Sequence, residues 1–206
     1  MLSVTAQRQP ESKMRFLVRG LLIAVAGLGI WMATQAAVIP AKAMVAQFLL
    51  NSAFEASKAT GTPQKPWPWA DMTPVARLRV PRLGVDQIVL SGGSGEAMAF
   101  GPTVLPGTAA PGQPGTTVLT AHRDTHFRFL ERLEVDDSIR LESEHGEVKE
   151  YEVIGTEVVR WDGFSIPHAD GESRLVLVTC FPFDSTKRGA ERYVVHGSPD
   201  GQPISQ

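Results

Sequence analysis

Cys180, the only cysteine of the chain, closes the apolar run Leu175-Val176-Leu177-Val178-Thr179 and precedes Phe181-Pro182-Phe183. A nucleophile at a strand end, where a rigid sheet meets a loop, is held firmly and can face a groove. A thiol with an ordinary pKa near about 8.5 is mostly protonated at neutral pH and needs a nearby cation to become a thiolate. His122 ends another β-like run, Leu119-Thr120-Ala121-His122-Arg123-Asp124. An imidazolium beside a thiolate would activate the nucleophile and protonate a departing amine. Arg192 follows Cys180 by 12 residues and opens Arg192-Tyr193-Val194-Val195, so the two are expected at facing ends of strands joined by a loop. A guanidinium there can hydrogen-bond a peptide carbonyl or a developing oxyanion.

Taken singly, each residue also has an ordinary reading. A free cysteine often serves as a small buried hydrophobe, a strand-end histidine as a satisfied surface residue, and a strand-edge arginine as half of a surface ion pair. Arg188, eight residues after Cys180, competes with Arg192, but it follows the polar stretch Asp184-Ser185-Thr186-Lys187 rather than opening a β-like run. Asp124 suits either orientation of His122 or a turn and ion pair with Arg123 or Arg128. His122 and His126 have a spacing usable by zinc, yet no third ligand lies nearby, so no metal is expected. The acidic series Glu142, Glu144, Glu147, Glu150 and Glu152 reads as a solvated hairpin, with calcium binding the lesser alternative.

The elements that must position these side chains follow from composition and periodicity. Charge is uneven: residues 1–19 carry +3 and residues 20–66 carry +2, leaving −7 on residues 67–206. A mildly acidic body with a basic N-terminus does not fit a nucleic-acid binder, which needs a clustered basic face. One cysteine excludes an intramolecular disulfide. Residues 1–19 are expected in the cytoplasm. Residues 20–41 contain no charged side chain, and about 20 apolar residues at 1.5 Å rise cross a hydrocarbon core of roughly 30 Å. The basic excess before this run places the remaining chain outside the membrane. A cleaved signal peptide would use the same basic flank and the small residues of 33–37; the length of the run favours an uncleaved anchor.

Residues 42–60 show apolar positions at Met44, Val45, Phe48, Leu49, Ala53 and Ala56, a spacing that suits an amphipathic juxtamembrane helix on the membrane or against the body. Residues 61–72 form an extended linker, because each proline in Lys65-Pro66-Trp67-Pro68-Trp69 biases its predecessor out of helical geometry. Trp67 and Trp69 are expected to pack on the domain edge. From residue 73 to 198 the texture is short β-like runs separated by Gly and Pro: 76–80, 86–90, 116–120, 138–142, 147–159, 174–179 and 192–196, with a helical piece at 127–133. That pattern predicts an all-β, closed or nearly closed barrel.

Three segments together resemble a family. Thr120-Ala121-His122-Arg123-Asp124-Thr125 is similar to the histidine segment of sortases, Leu177-Val178-Thr179-Cys180 is similar to their TLxTC segment with Val176 in place of the first Thr, and Arg192 fits the arginine of the following strand. The order is that of the family, and the resemblance runs from about residue 70 to 197. It implies an eight-stranded β-barrel with short helices behind an N-terminal transmembrane helix, and a cysteine transpeptidase that cleaves a C-terminal, often LPxTG-like, sorting signal of exported proteins through a thioester and passes the acyl group to an amine. It implies Cys180 as nucleophile, His122 as general acid and base, and Arg192 as substrate and oxyanion ligand, with no cofactor. The partners expected are a protein substrate bearing that signal, an acceptor amine left open, and the inner membrane. The linker and the Cys180-Phe181-Pro182-Phe183-Asp184 segment resemble sortases of Gram-negative bacteria.

Overall fold

A computed structural model describes residues 11–166, 172–185, 187 and 189–199. Arg188 lies outside the described residues. The chain divides into two compact units, Met1–Val45 and Ala46–Gln206.

In the first unit the backbone is helical, part of α1 (Glu11–Thr60), and its described side chains from Met14 onward are exposed. Leu21, Leu22, Ile23, Val25, Leu28, Ile30 and Trp31 all face outward, an apolar surface that water does not favour and lipid does. Among the described residues one helix is long and apolar enough to cross a membrane.

The second unit begins with the C-terminal turns of α1. The helix runs on through the expected 41/42 boundary, and its residues from Ala46 onward bury one stripe. Leu50 and Phe54 are fully buried with Met72, Ile88, Leu90 and Ala97, and Trp67 closes this cluster edge-on against Phe100 with ring centroids 5.2 Å apart. Trp69, in contrast, is exposed. The helix end is also held by charge: Lys58 pairs with Glu142 at 2.5 Å, and Arg77 reaches Glu55 at 3.5 Å and Asp86 at 2.6 Å.

Eight strands follow: β1 (Pro74–Val80), β2 (Val85–Leu90), β3 (Thr103–Val104), β4 (Gly115–Thr120), β5 (Ser138–Ser143), β6 (Val148–Arg160), β7 (Ser173–Phe181) and β8 (Glu191–Ser198). They close into a barrel in the order β1-β2-β3-β4-β7-β8-β6-β5, with β5 pairing back to β1. The seven strand-like runs and the barrel are as expected. The eighth strand, β3, is only two residues long and is defined by its neighbours: Leu90 pairs with Thr103 in parallel, and Val104 with Leu119 in antiparallel. The helical piece is a 3-10 segment, Arg128–Arg132, that buries Phe129 and Leu130.

Strand alternation divides β7 between two cores. Leu175 and Leu177 point into the barrel with Leu119, Tyr151 and Val195. Val176 and Val178 point outward, where they form a second cluster with Val118 and Val194, packed on by Leu105, Val159 and Phe164. This explains the unbroken apolar run before Cys180: a strand covered on both faces has no polar face to show.

Candidate active site

Cys180 lies on the outward-facing side of β7, in phase with Val176 and Val178, one residue before the strand ends. The apolar cover ends at this level, and the thiol is half-buried. β7 and β8 are antiparallel in a register that sets Cys180 directly opposite Arg192, so both side chains leave the same face of the sheet.

His122 reaches the same place from the other side. β4 runs parallel to β7, with Thr120 beside Val178, and His122 lies two residues beyond Thr120 as Cys180 lies two beyond Val178. The pairing persists past the strand: the Ala121 amide donates to the Val178 carbonyl at 3.4 Å, and the buried Thr179 hydroxyl donates to the Ala121 carbonyl at 2.8 Å. His122 is exposed at the strand end. The three residues singled out from sequence thus line one open cavity of about 610 Å³, together with Arg123, Asp124, Trp161, Ser185, Lys187, Gly189 and Ala190.

Arg192 spends Nη1 on its own neighbourhood, donating to the carbonyls of Gly189 at 3.1 Å and Glu191 at 2.8 Å. These bonds fix where the guanidinium sits. Its Nε and Nη2 make no hydrogen bond among the described residues. Gly189 itself must be glycine, because a Cβ there would stand 2.7 Å from the Phe181 carbonyl oxygen.

The β7–β8 loop is also held from the segment after β4. Arg123 is 9 % exposed. Its Nη2 donates to the carbonyls of Ser185 and, at 2.6 Å, Lys187. Its Nη1 is buried with no hydrogen-bond partner among the described residues. Arg128 donates to the Phe183 carbonyl at 2.9 Å and pairs with Asp184 at 2.8 Å. Neither arginine forms an ion pair with Asp124 among the described residues. No local signal in the sequence marks Arg123, which lies in the turn after β4 and owes its burial to the folded β7–β8 loop. Sequence reading also passed over Trp161, which is 62 % exposed and is tied to the loop by its amide, bonded to the Ala190 carbonyl at 2.7 Å. No local pattern marks a strand-end tryptophan as a cavity wall.

His126 is half-buried, and burial lowers its pKa below the ordinary histidine value; a hydrogen bond to Ala99 opposes this and the charge of His122 adds to it. The described residues contain no group of three or more His, Cys, Asp or Glu side chains able to hold a metal. In the acidic series, Glu142 is taken by Lys58 and Arg79, and Glu150 by Arg140 and Ser138.

The arrangement places a thiol, an imidazole and a guanidinium at one end of three adjacent strands, beside an open cavity. The family described as Sortase domain matches residues 78–200. Sortase D of Bacillus subtilis (strain 168) is 31 % identical over 121 residues, 58 % of this chain and 61 % of the relative. Sortase C-1 of Actinomyces oris (formerly Actinomyces naeslundii) superposes with a TM-score of 0.54 at 28 % identity, covering 60 % of this chain and 72 % of that one. Sortase A of Corynebacterium diphtheriae shares the fold with a TM-score of 0.57 at 23 % identity, over 63 % of this chain and 62 % of that one. The chain therefore spans a little under two thirds of the length of sortase D and of sortase A. Because the matched segment 78–200 covers more than half of the sequence and contains the entire three-strand site, the chain belongs to the sortase family.

Proposed function

We propose that this chain is a membrane-anchored cysteine transpeptidase that cleaves a C-terminal sorting signal of exported proteins and passes the acyl group to an amine. The observation that carries the reading is the register opposing Cys180 to Arg192 at the end where His122 leaves β4.

In the first step the Cys180 thiolate attacks the scissile carbonyl carbon, and the C=O electron pair moves onto oxygen. Arg192 donates to that oxyanion through nitrogens its loop bonds leave available, the kind of interaction that acts most strongly where charge develops in the transition state. The C–N bond then breaks, the departing amine takes a proton from His122, and the acyl group remains on sulfur as a thioester. A second amine attacks the thioester, His122 accepts its proton, and an amide forms as the thiolate leaves. Every proton is accounted for by His122 and the two amines, so no cofactor is called for. Residues 20–41 hold the enzyme in the membrane with residues 1–19 in the cytoplasm and the barrel of 73–198 on the outer side; residues 42–60 and 61–72 connect the two. The basic residues Arg8, Lys13, Arg15 and Arg19 ahead of the apolar run support that orientation.

The test is incubation of the purified chain with a library of peptides carrying candidate C-terminal signals, with and without an added amine, followed by mass spectrometry. The expected result is an acyl adduct on Cys180 and, with amine present, a new amide product. Cleavage giving only the hydrolysed acid at all amine concentrations would make the chain a protease, and absence of any adduct would end the reading.

A further inference from the structure

Four carbonyls of the loop between Cys180 and Arg192 are claimed by three arginines. Phe183 is held by Arg128, Ser185 and Lys187 by Arg123, and Gly189 by Arg192 itself. Only Arg123 among these is buried, and it is the residue next to His122. One guanidinium nitrogen donating to two carbonyls two residues apart holds the loop at Ser185 and Lys187, close before Gly189 in the sequence. The Gly189 carbonyl is in turn one of the two acceptors that set the position of the Arg192 guanidinium.

We propose that Arg123 is a positioning residue that aims Arg192 through the β7–β8 loop. This rests on the reading of Arg192 as the donor to the substrate carbonyl or oxyanion. The contacts run from Arg123, after β4, to the carbonyls of Ser185 and Lys187, and from Arg192 to the carbonyl of Gly189, two positions after Lys187 in the sequence. Planar guanidinium geometry suits it, because the donor must meet backbone oxygens in fixed directions, which an ammonium on a flexible stem does poorly. Misplacing a catalytic group by about 1 Å costs up to roughly 100-fold in rate even when the change lies away from the reacting atoms. Arg128 holds the loop nearer Cys180, at Phe183, and is exposed, so it bears on Arg192 less directly.

The deciding experiment is a double-mutant cycle on the full chain, reading single-turnover acylation of Cys180 by a substrate peptide, with iodoacetamide alkylation of Cys180 and thermal melting measured in parallel. Arg123→Ala should slow acylation about 10- to 100-fold while alkylation stays within a few-fold of the parent. Arg123→Lys should fall well short of restoring the rate. In the Arg192→Ala background, Arg123→Ala should add little further loss, because the group it aims is already gone. Additive losses in the double variant, or an Arg123→Ala enzyme that acylates normally, would overturn the proposal. If Arg123→Ala does not fold, the same cycle is read with Arg123→Lys. A parent enzyme that forms no acyl adduct would instead refute the functional reading, which is a distinguishable outcome.

Discussion

Cys180 and Arg192 are direct register partners across the antiparallel pair β7–β8, and the 11 residues between them are Phe181 of β7, the loop of 182–190 and Glu191 of β8. The distance between the two side chains is therefore governed by sheet geometry, which is stiff, rather than by the loop. The loop governs only where the guanidinium points.

Replacing Cys180 tests the proposed chemistry without disturbing that geometry. Cys180→Ala should abolish the acyl adduct and leave the melting temperature near that of the parent, since the lost side chain is half-buried at a strand end. Peptide cleavage retained by a folded Cys180→Ala protein would exclude the cysteine mechanism.

The two arginines after Cys180 should separate cleanly. Arg192→Lys keeps the charge and loses the planar fork, and removal of an oxyanion donor typically lowers turnover by roughly 100-fold or more. Arg192→Lys and Arg192→Ala are both expected to be severely impaired in acylation, with Arg188→Ala within a few-fold of the parent. The reverse order would move the role to Arg188.

Thr179 couples β7 to the segment of His122 through one buried hydrogen bond to the Ala121 carbonyl, 2.8 Å long. Thr179→Val conserves shape and leaves that acceptor without its donor, which costs about 1–3 kcal/mol. Chemical denaturation should show a loss of this size, together with several-fold slower acylation from the less firmly held His122. Parent-like values of both would show that the hydrogen bond does not couple the strands.

Acid stability should depend on Asp137. Its buried carboxylate accepts from Arg82, at 2.5 Å for Nη2, and from the Glu134 amide at 2.8 Å. The bond from Arg82 is the main cause that holds its pKa below the usual carboxylate range. A carboxylate depressed on folding contributes stability fully above its unfolded pKa of about 3.9 and loses it as pH falls through the lower folded value. Asp137→Asn should therefore lower the melting temperature near neutral pH and flatten its decline below about pH 4. A variant melting curve parallel to the parent at every pH would remove Asp137 from the acid limb.

Membrane topology is open to a direct probe. Protease added to intact spheroplasts should digest the barrel and spare the first residues, because the basic excess lies before residues 20–41. A protected barrel, or a mature N-terminus near residue 38, would contradict this orientation.

Local pattern was enough to read much of the molecule. The alternation and turn residues of seven strands, the uncharged run of 20–41, and the three family-like segments around His122, Cys180 and Arg192 all lie in short stretches of chain, where periodicity and residue type carry the information. The companionship of Cys180 and Arg192 was legible for the same reason, since consecutive strands joined by a short loop tend to pair. Tertiary structure decided the rest. β3 has two residues and no pattern of its own; it is a strand only because β2 and β4 offer it backbone partners. The parallel pairing of β4 with β7, which brings His122 to Cys180, joins segments 58 residues apart in sequence, as Thr120 with Val178, and no local rule selects that partner. The same holds for Arg123: burial and two distant carbonyls give it a place in the cavity wall, and both are properties of the folded loop rather than of the residues beside it.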